Sequence, residues 1–176
     1  MLNEICHNLS MQCRFAGAVK RFYSVAEHTV HMVRQARRRG EMPATQLALW
    51  LHDTPEYALG DVISPVKDKP GIAPVYASME RNKMNEICDD LKITRSHGNH
   101  ALGLFTVKLY DRAILAAESE FVAKPQPGWN PYDPDNKLHV AFGIRIQRSA
   151  PLGHVFDFWA HEMKREYDLI QEALLK

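Results

Sequence analysis

The chain carries almost no net charge: its 176 residues hold 22 Lys and Arg against 21 Asp and Glu, a balance of +1. No global field therefore favours nucleic acid or an anionic membrane, and neither is expected as a partner. No apolar run approaches the ~20 residues of a membrane span, and the N-terminus lacks a signal-peptide pattern. Cysteine is scarce. Cys6, Cys13 and Cys88 are odd in number and form no CxxC motif. A disulfide framework is not expected on that count, and a reducing, cytoplasmic location is. Strand signals are equally thin, with Val140–Ile146 the one short candidate. With no internal repeat, low-complexity tract or linker, a single domain over residues 1–176 is expected.

What the sequence has is helical patterning. Hydrophobic residues make up 45% of it, ample for one core. Residues 1 to 10 read as an irregular or short helical lead-in. Ser24-Val25-Ala26-Glu27 reads as a capping box, in which Ser24 bonds the third backbone N–H and Glu27 reaches back to the cap. The helix behind it should run to about Arg39 and stop at Gly40. Its basic end (Arg34, Arg37, Arg38, Arg39) reads as a solvated terminus favoured by the dipole, with a nucleic-acid patch as the weaker alternative. Pro43 opens a further helix, and Pro55 predicts a break near Thr54. Helices are also expected from Tyr76 to about Leu91, from about Ala101 to Phe121, and from about Val155 to Leu175. The four prolines between Lys124 and Asn136 predict an irregular stretch. The expected architecture is all-α, with five to seven helices.

Four residues on three of these helices stand out as metal ligands: His28, His52, Asp53 and Asp111. Two imidazoles and two carboxylates suit one divalent cation (Zn, Co, Mn, Ni or Fe) and leave coordination positions open. An adjacent His-Asp pair is weak evidence alone, because neighbouring helical side chains diverge by about 100°. A helix distorted by Pro55 lets both face one ion. Helices that project His and carboxylate inward are a recurrent way to build such a centre. Glu56 lies four residues after His52, one turn away, and can reach the same place. Cys6, His7 and Cys13 lack a fourth ligand at a recognised spacing.

These positions carry a resemblance. His28, His52-Asp53 and Asp111 are similar to the H…HD…D signature of the HD-domain metal-dependent phosphohydrolases. Cys13-Arg-Phe-Ala-Gly17, Phe22 to His28, His52-Asp-Thr-Pro-Glu56, Gly60 to Lys67, Val107 to Asp111 with Glu118, and Ala150 to His154 resemble the ordered blocks of its small bacterial and phage deoxynucleotide hydrolases. The resemblance implies an HD-domain helical bundle and hydrolysis of a deoxynucleotide substrate in a self-associating protein, a homo-oligomer. That group includes phage dATP triphosphohydrolases, which the N-terminal block resembles more, and 5'-deoxynucleotidases acting on monophosphates. A nucleotide-binding HD domain without turnover is a further alternative.

The resemblance also implies roles. Asp53 is both ligand and catalytic residue, and Glu56 is the general acid or base. Arg14 contacts phosphate, and Lys67 and Lys108 neutralise further phosphate oxygens, with Mg as an additional ion beside a triphosphate. Asp61 lies near the sugar, and Phe15 packs on the base. Lys20 and Arg21 remain alternative phosphate partners, Phe15 or Tyr57 alternative core residues, and Glu56 alternatively a solvated helix-end carboxylate.

Overall fold

A computed structural model describes residues 1–125, 138–144, 146 and 155–176. Among them no strand occurs, only the isolated bridges Cys13–Ser24 and Val19–Ala123, and the architecture is all-α. The helices are α1 (Leu2–Met11), α2 (Val25–Arg38), α3 (Pro43–Leu51), α4 (Glu56–Leu59), α5 (Ser64–Lys67), α6 (Ala73–Asp90), α7 (Arg95–Gly103), α8 (Phe105–Phe121), α9 (Leu138–Phe142) and α10 (Val155–Leu174). They outnumber the five to seven expected because α4, α5 and α9 are single turns. None of the described helices is long and apolar enough to cross a membrane.

Helix α2 is the centre of the molecule and packs against α1, α3, α8 and α10. Its start is half the expected capping box. Ser24 Oγ accepts from the Glu27 N–H at 3.0 Å, but both Glu27 oxygens pair with Arg21 at 2.7 and 3.0 Å. Its end is a left-handed cap at Gly40 (φ +75), where Gly40 N–H donates to Arg37 O and Glu41 N–H to Ala36 O. The basic cluster there is structural. Arg34 and Arg37 pair with the buried carboxylates of Glu162 and Glu166 on α10, and Arg39 lies over the Phe142 ring at 4.4 Å. Trp50 and Trp159 fill the core, and the Trp50 indole donates to Met163 O at 2.9 Å.

Two expectations need correction. The helix expected across 101–121 is broken at Leu104, whose extended backbone (ψ 130) separates α7 from α8 after Gly103. The strand candidate at Val140–Ile146 is α9 followed by a turn at Gly143 (φ +65). Val140, Ala141 and Phe142 sit on a helix instead, with Phe142 edge-on to Tyr110. The lead-in takes the helical one of its two expected forms, as α1 seated on α10. The stretch between Lys124 and Asn136 expected to be irregular, from residue 126 on, and the Ala150 to His154 block lie outside the described residues.

Candidate metal centre and its cleft

The break at Pro55 does what its position requires. Helix α3 ends at Leu51, and residues 52–55 continue as tight turns in which Thr54 N–H and its hydroxyl both donate to Leu51 O, while Glu56 N–H donates to Asp53 O. That tightening swings Asp53 to the same side as His52, and α2 brings His28 to meet them. His28 Nε2 lies 3.2 Å from His52 Nε2, 3.6 Å from Asp53 Oδ2 and 3.5 Å from Asp111 Oδ1. His52 Nε2 to Asp53 Oδ2 is 3.0 Å. Ligand atoms on one ion with ~2.1 Å bonds stand about 3.0–3.4 Å apart, so these spacings fit a shared cation.

The proton placement fits it too. His28 Nδ1 donates to Glu118 Oε1 at 2.6 Å, and His52 Nδ1 donates to Leu49 O at 2.7 Å. Each outer partner turns its ring's Nε2 inward, the arrangement that orients metal-binding imidazoles. Two inward ring nitrogens and a carboxylate oxygen at such distances need a positive charge among them, a metal ion or, without one, the proton that His52 holds. His28, His52 and Asp53 form the compact trio that could hold a metal ion. Asp111 joins through His28 and is more exposed.

The charges in the centre follow the same logic. Burial opposes the charged form of His52, but Asp53 overrides it, with help from Asp111 and the Leu49 carbonyl, and the imidazole is raised to about 9. Burial likewise opposes Asp53, yet His52, His28 and Arg14 hold its carboxyl well below the usual range. Both shifts report a place built for positive charge. Glu118 is completely buried; Arg14 first, then His28, outweigh the desolvation and bring it down to about 2.

In front of the histidines opens a cleft of about 330 Å³. Arg14, Phe15, Asp53, Glu56, Asp61, Lys67 and Asp111 line it, with Val62, Ile63 and Leu115 as apolar wall. Arg14 is not a free cation: Nη1 reaches Asp53 Oδ2 at 3.2 Å and Nη2 reaches Glu118 Oε2 at 3.3 Å. Lys67 Nζ donates to Glu56 Oε1 at 2.9 Å. Glu56 is 3% exposed, so it is no solvated helix-end group. Burial first, then the charge of Asp53, push its carboxyl up to about 8 against the pull of Lys67. Its Oε2 and the Oδ2 of Asp61 are buried with no hydrogen-bond partner among the described residues.

Phe15, which lines the cleft, opens a turn with Ala16 and Gly17 in which three successive φ angles are positive (60, 51 and 81). For Phe and Ala this conformation costs on the order of 1–3 kcal/mol each. The Asp61 carboxylate, bonded to the Phe15 backbone, helps hold the turn. Other expected residues fall elsewhere. Lys108 is exposed on α8 and does not line the cleft. Lys20 donates to Glu120 O and Arg21 pairs with Glu27, and neither lines it. Tyr57 is a partly buried packing residue. In the sequence Glu118 stands only within a resembling block, with no role of its own. Its spacing of seven from Asp111, two helical turns, puts both on one side of α8, which was the available signal.

No protein-family model matches the chain. It is 40% identical over 70 residues to an uncharacterized protein of Rhodobacter capsulatus, covering 38% of this chain and 36% of that one. It is 30% identical over 118 residues to the uncharacterized protein YfdR of Escherichia coli, covering 67% of this chain and 58% of YfdR. The chain thus spans about a third of the first relative's length and somewhat over half of the second's.

Proposed function

We propose that this protein is a metal-dependent phosphohydrolase acting on deoxynucleotides. The observation that carries the reading is the convergence of His28, His52 and Asp53 at the back of a cleft whose front holds a buried carboxyl, Glu56, beside two cations. A bound divalent ion would supply a water of lowered pKa and polarise a phosphoryl oxygen. The residues do the rest. Glu56, raised to about 8, sits where a group can both take and return a proton near neutral pH, and its free Oε2 is the atom that does so. Arg14 and Lys67 face the phosphate oxygens, and Asp61 offers an acceptor to a hydroxyl. The apolar wall of Phe15, Val62, Ile63 and Leu115 excludes water and suits the flat face of a base. The ordered motifs that resemble HD-domain phosphohydrolases support the same chemistry.

The charge inventory favours a monophosphate. Among the described lining residues four carboxylates face two cations, both already ion-paired. One divalent ion brings such a cleft to neutral with Glu56 ionised and to about +1 with it protonated, and a phosphate monoester then adds about two negative charges. A triphosphate adds more and would bring its own Mg. The second reading, dATP to deoxyadenosine and triphosphate, is supported by the Cys13 to Gly17 block.

The experiment is to incubate metal-loaded protein with each dNMP and dNTP and to identify the released species. Orthophosphate from dNMPs is the expected result; tripolyphosphate from dATP would select the second reading. Turnover of neither with any of the five metals would overturn the proposal.

A further inference from the structure

Lys67 is the last residue of α5, a single turn between two loops, and nothing on that element fixes its four-carbon side chain. Yet its ammonium is held from three sides. Glu56 Oε1 lies at 2.9 Å, Glu80 Oε1 at 3.5 Å, and the Tyr76 ring centroid at 4.9 Å. The last two come from α6, one turn apart on the same face, so a long helix supplies what the short one lacks. Tyr76 is itself anchored, its hydroxyl donating to Gly60 O at 3.3 Å in the loop that leads into α5. Glu80 lies outside the cleft and lines a separate groove with Ala77, Arg81, Asn99, Leu102 and Gly103.

We propose that Glu80 and Tyr76 are positioning residues that hold Lys67 at the cleft wall, ready for a substrate phosphate. A free lysine loses rotamer entropy when it is fixed. Held in advance by the Glu80 carboxylate and the Tyr76 ring, Lys67 meets an anion with much of that cost already met. When phosphate enters, Lys67 shares its donors between the anion and Glu80 while Glu56 is released to its proton-transfer task. The proposal rests on the phosphohydrolase reading for its consequence but not for its geometry.

The test is a double-mutant cycle of Glu80→Gln and Lys67→Met on the metal-loaded full chain. Glu80→Gln, a half-exposed isosteric change, should leave the thermal midpoint in place, raise KM roughly three- to tenfold and move kcat little. In the Lys67→Met background the same change should have no further effect on KM. Full additivity in the cycle, or an unchanged KM in Glu80→Gln alone, overturns the proposal. Calorimetric titration of inorganic phosphate reads the same cycle without turnover. If the wild type hydrolyses nothing, the functional reading has failed, and a weakening of phosphate binding by Glu80→Gln only where Lys67 is present still supports the positioning role. Equal weakening with and without Lys67, or none in either background, overturns it.

Discussion

Glu118 and His28 are joined by a 2.6 Å hydrogen bond between two fully buried groups, 90 residues apart in the chain. The same carboxylate extends its other oxygen to Arg14. One buried side chain therefore orients a ligand of the candidate metal centre and a cation of the cleft together. A carboxylate in this environment stays ionised only because both partners are present. The arrangement ties α2, α8 and the Arg14 turn into one unit.

Glu118→Gln should loosen that unit without emptying the core, since the amide has the same shape. Neutral Gln still accepts from Nδ1 but no longer strengthens the basicity of His28. Metal affinity should fall about 10- to 100-fold, the usual effect of losing such a partner. Competition against a chromogenic chelator measures it, with circular dichroism to show that the helices persist. An unchanged affinity would mean that His28 is not a ligand or that Glu118 serves packing alone.

Much of this was legible in the sequence for identifiable reasons. The candidate ligand set announced itself because His, His and Asp at such spacing are chemically unusual, and Pro55 marked where the helix had to deform. Cap signals at Ser24, Gly40 and Pro43 act through local backbone chemistry and read correctly. Tertiary competition was invisible. Glu27 left its capping role because Arg21 offers a two-pronged charged partner, and Leu104 broke an apparently continuous helix after a glycine without any proline to signal it. Arg14 looked like a free phosphate cation, but its engagement with Asp53 and Glu118 depends on residues 39 and 104 positions away. The holder around Lys67 was hidden likewise, because Glu80 and Tyr76 look like ordinary helix residues until α5 and α6 are packed.

The α6–α7 contact depends on the absence of a side chain at Gly98. A Cβ there would stand 2.7 Å from both Cys88 Sγ and Met84 Cγ. Gly98→Ala gains a little helix propensity but must push into two buried side chains, Cys88 at 0% and Met84 at 1% exposure. Overpacking of this kind costs typically about 1–3 kcal/mol, more than the roughly 1 kcal/mol gained from propensity. Urea unfolding should show a lower midpoint with an unchanged m-value. A midpoint at or above wild type would show that Met84 moves aside without cost.

The cysteines should separate by burial. Cys6 is 2% exposed and its thiol is pushed up to about 12 by desolvation, and Cys88 is fully buried and raised for the same reason. Cys13 is only half-buried. Iodoacetamide at pH 8 should therefore label Cys13 in the native protein, and all three residues in denaturant, as read by peptide mass spectrometry. Rapid native labelling of Cys6 would show that α1 detaches from α10.

The candidate centre should exchange a proton for its metal. Without metal, Asp53 and Asp111 outweigh burial and raise His52 to about 9, so at neutral pH its Nε2 carries a proton where a metal bond would form. Loading must displace that proton. Apparent metal affinity should rise with pH by up to about tenfold per unit below 9 and level off above it. Titrations at pH 6.5, 7.5 and 8.5, in buffers of different ionisation enthalpy, should also show about one proton released. The same shift has a stability consequence of opposite slope. A histidine whose folded value lies above its unfolded value of 6.5 stabilises the metal-free protein fully below that pH, and the gain is lost as pH rises through about 9. Metal-free protein should thus lose thermal stability between pH 7 and 9, while metal-loaded protein should not. Affinity that is flat across this range, with no proton release, would place the metal on atoms other than His52 Nε2.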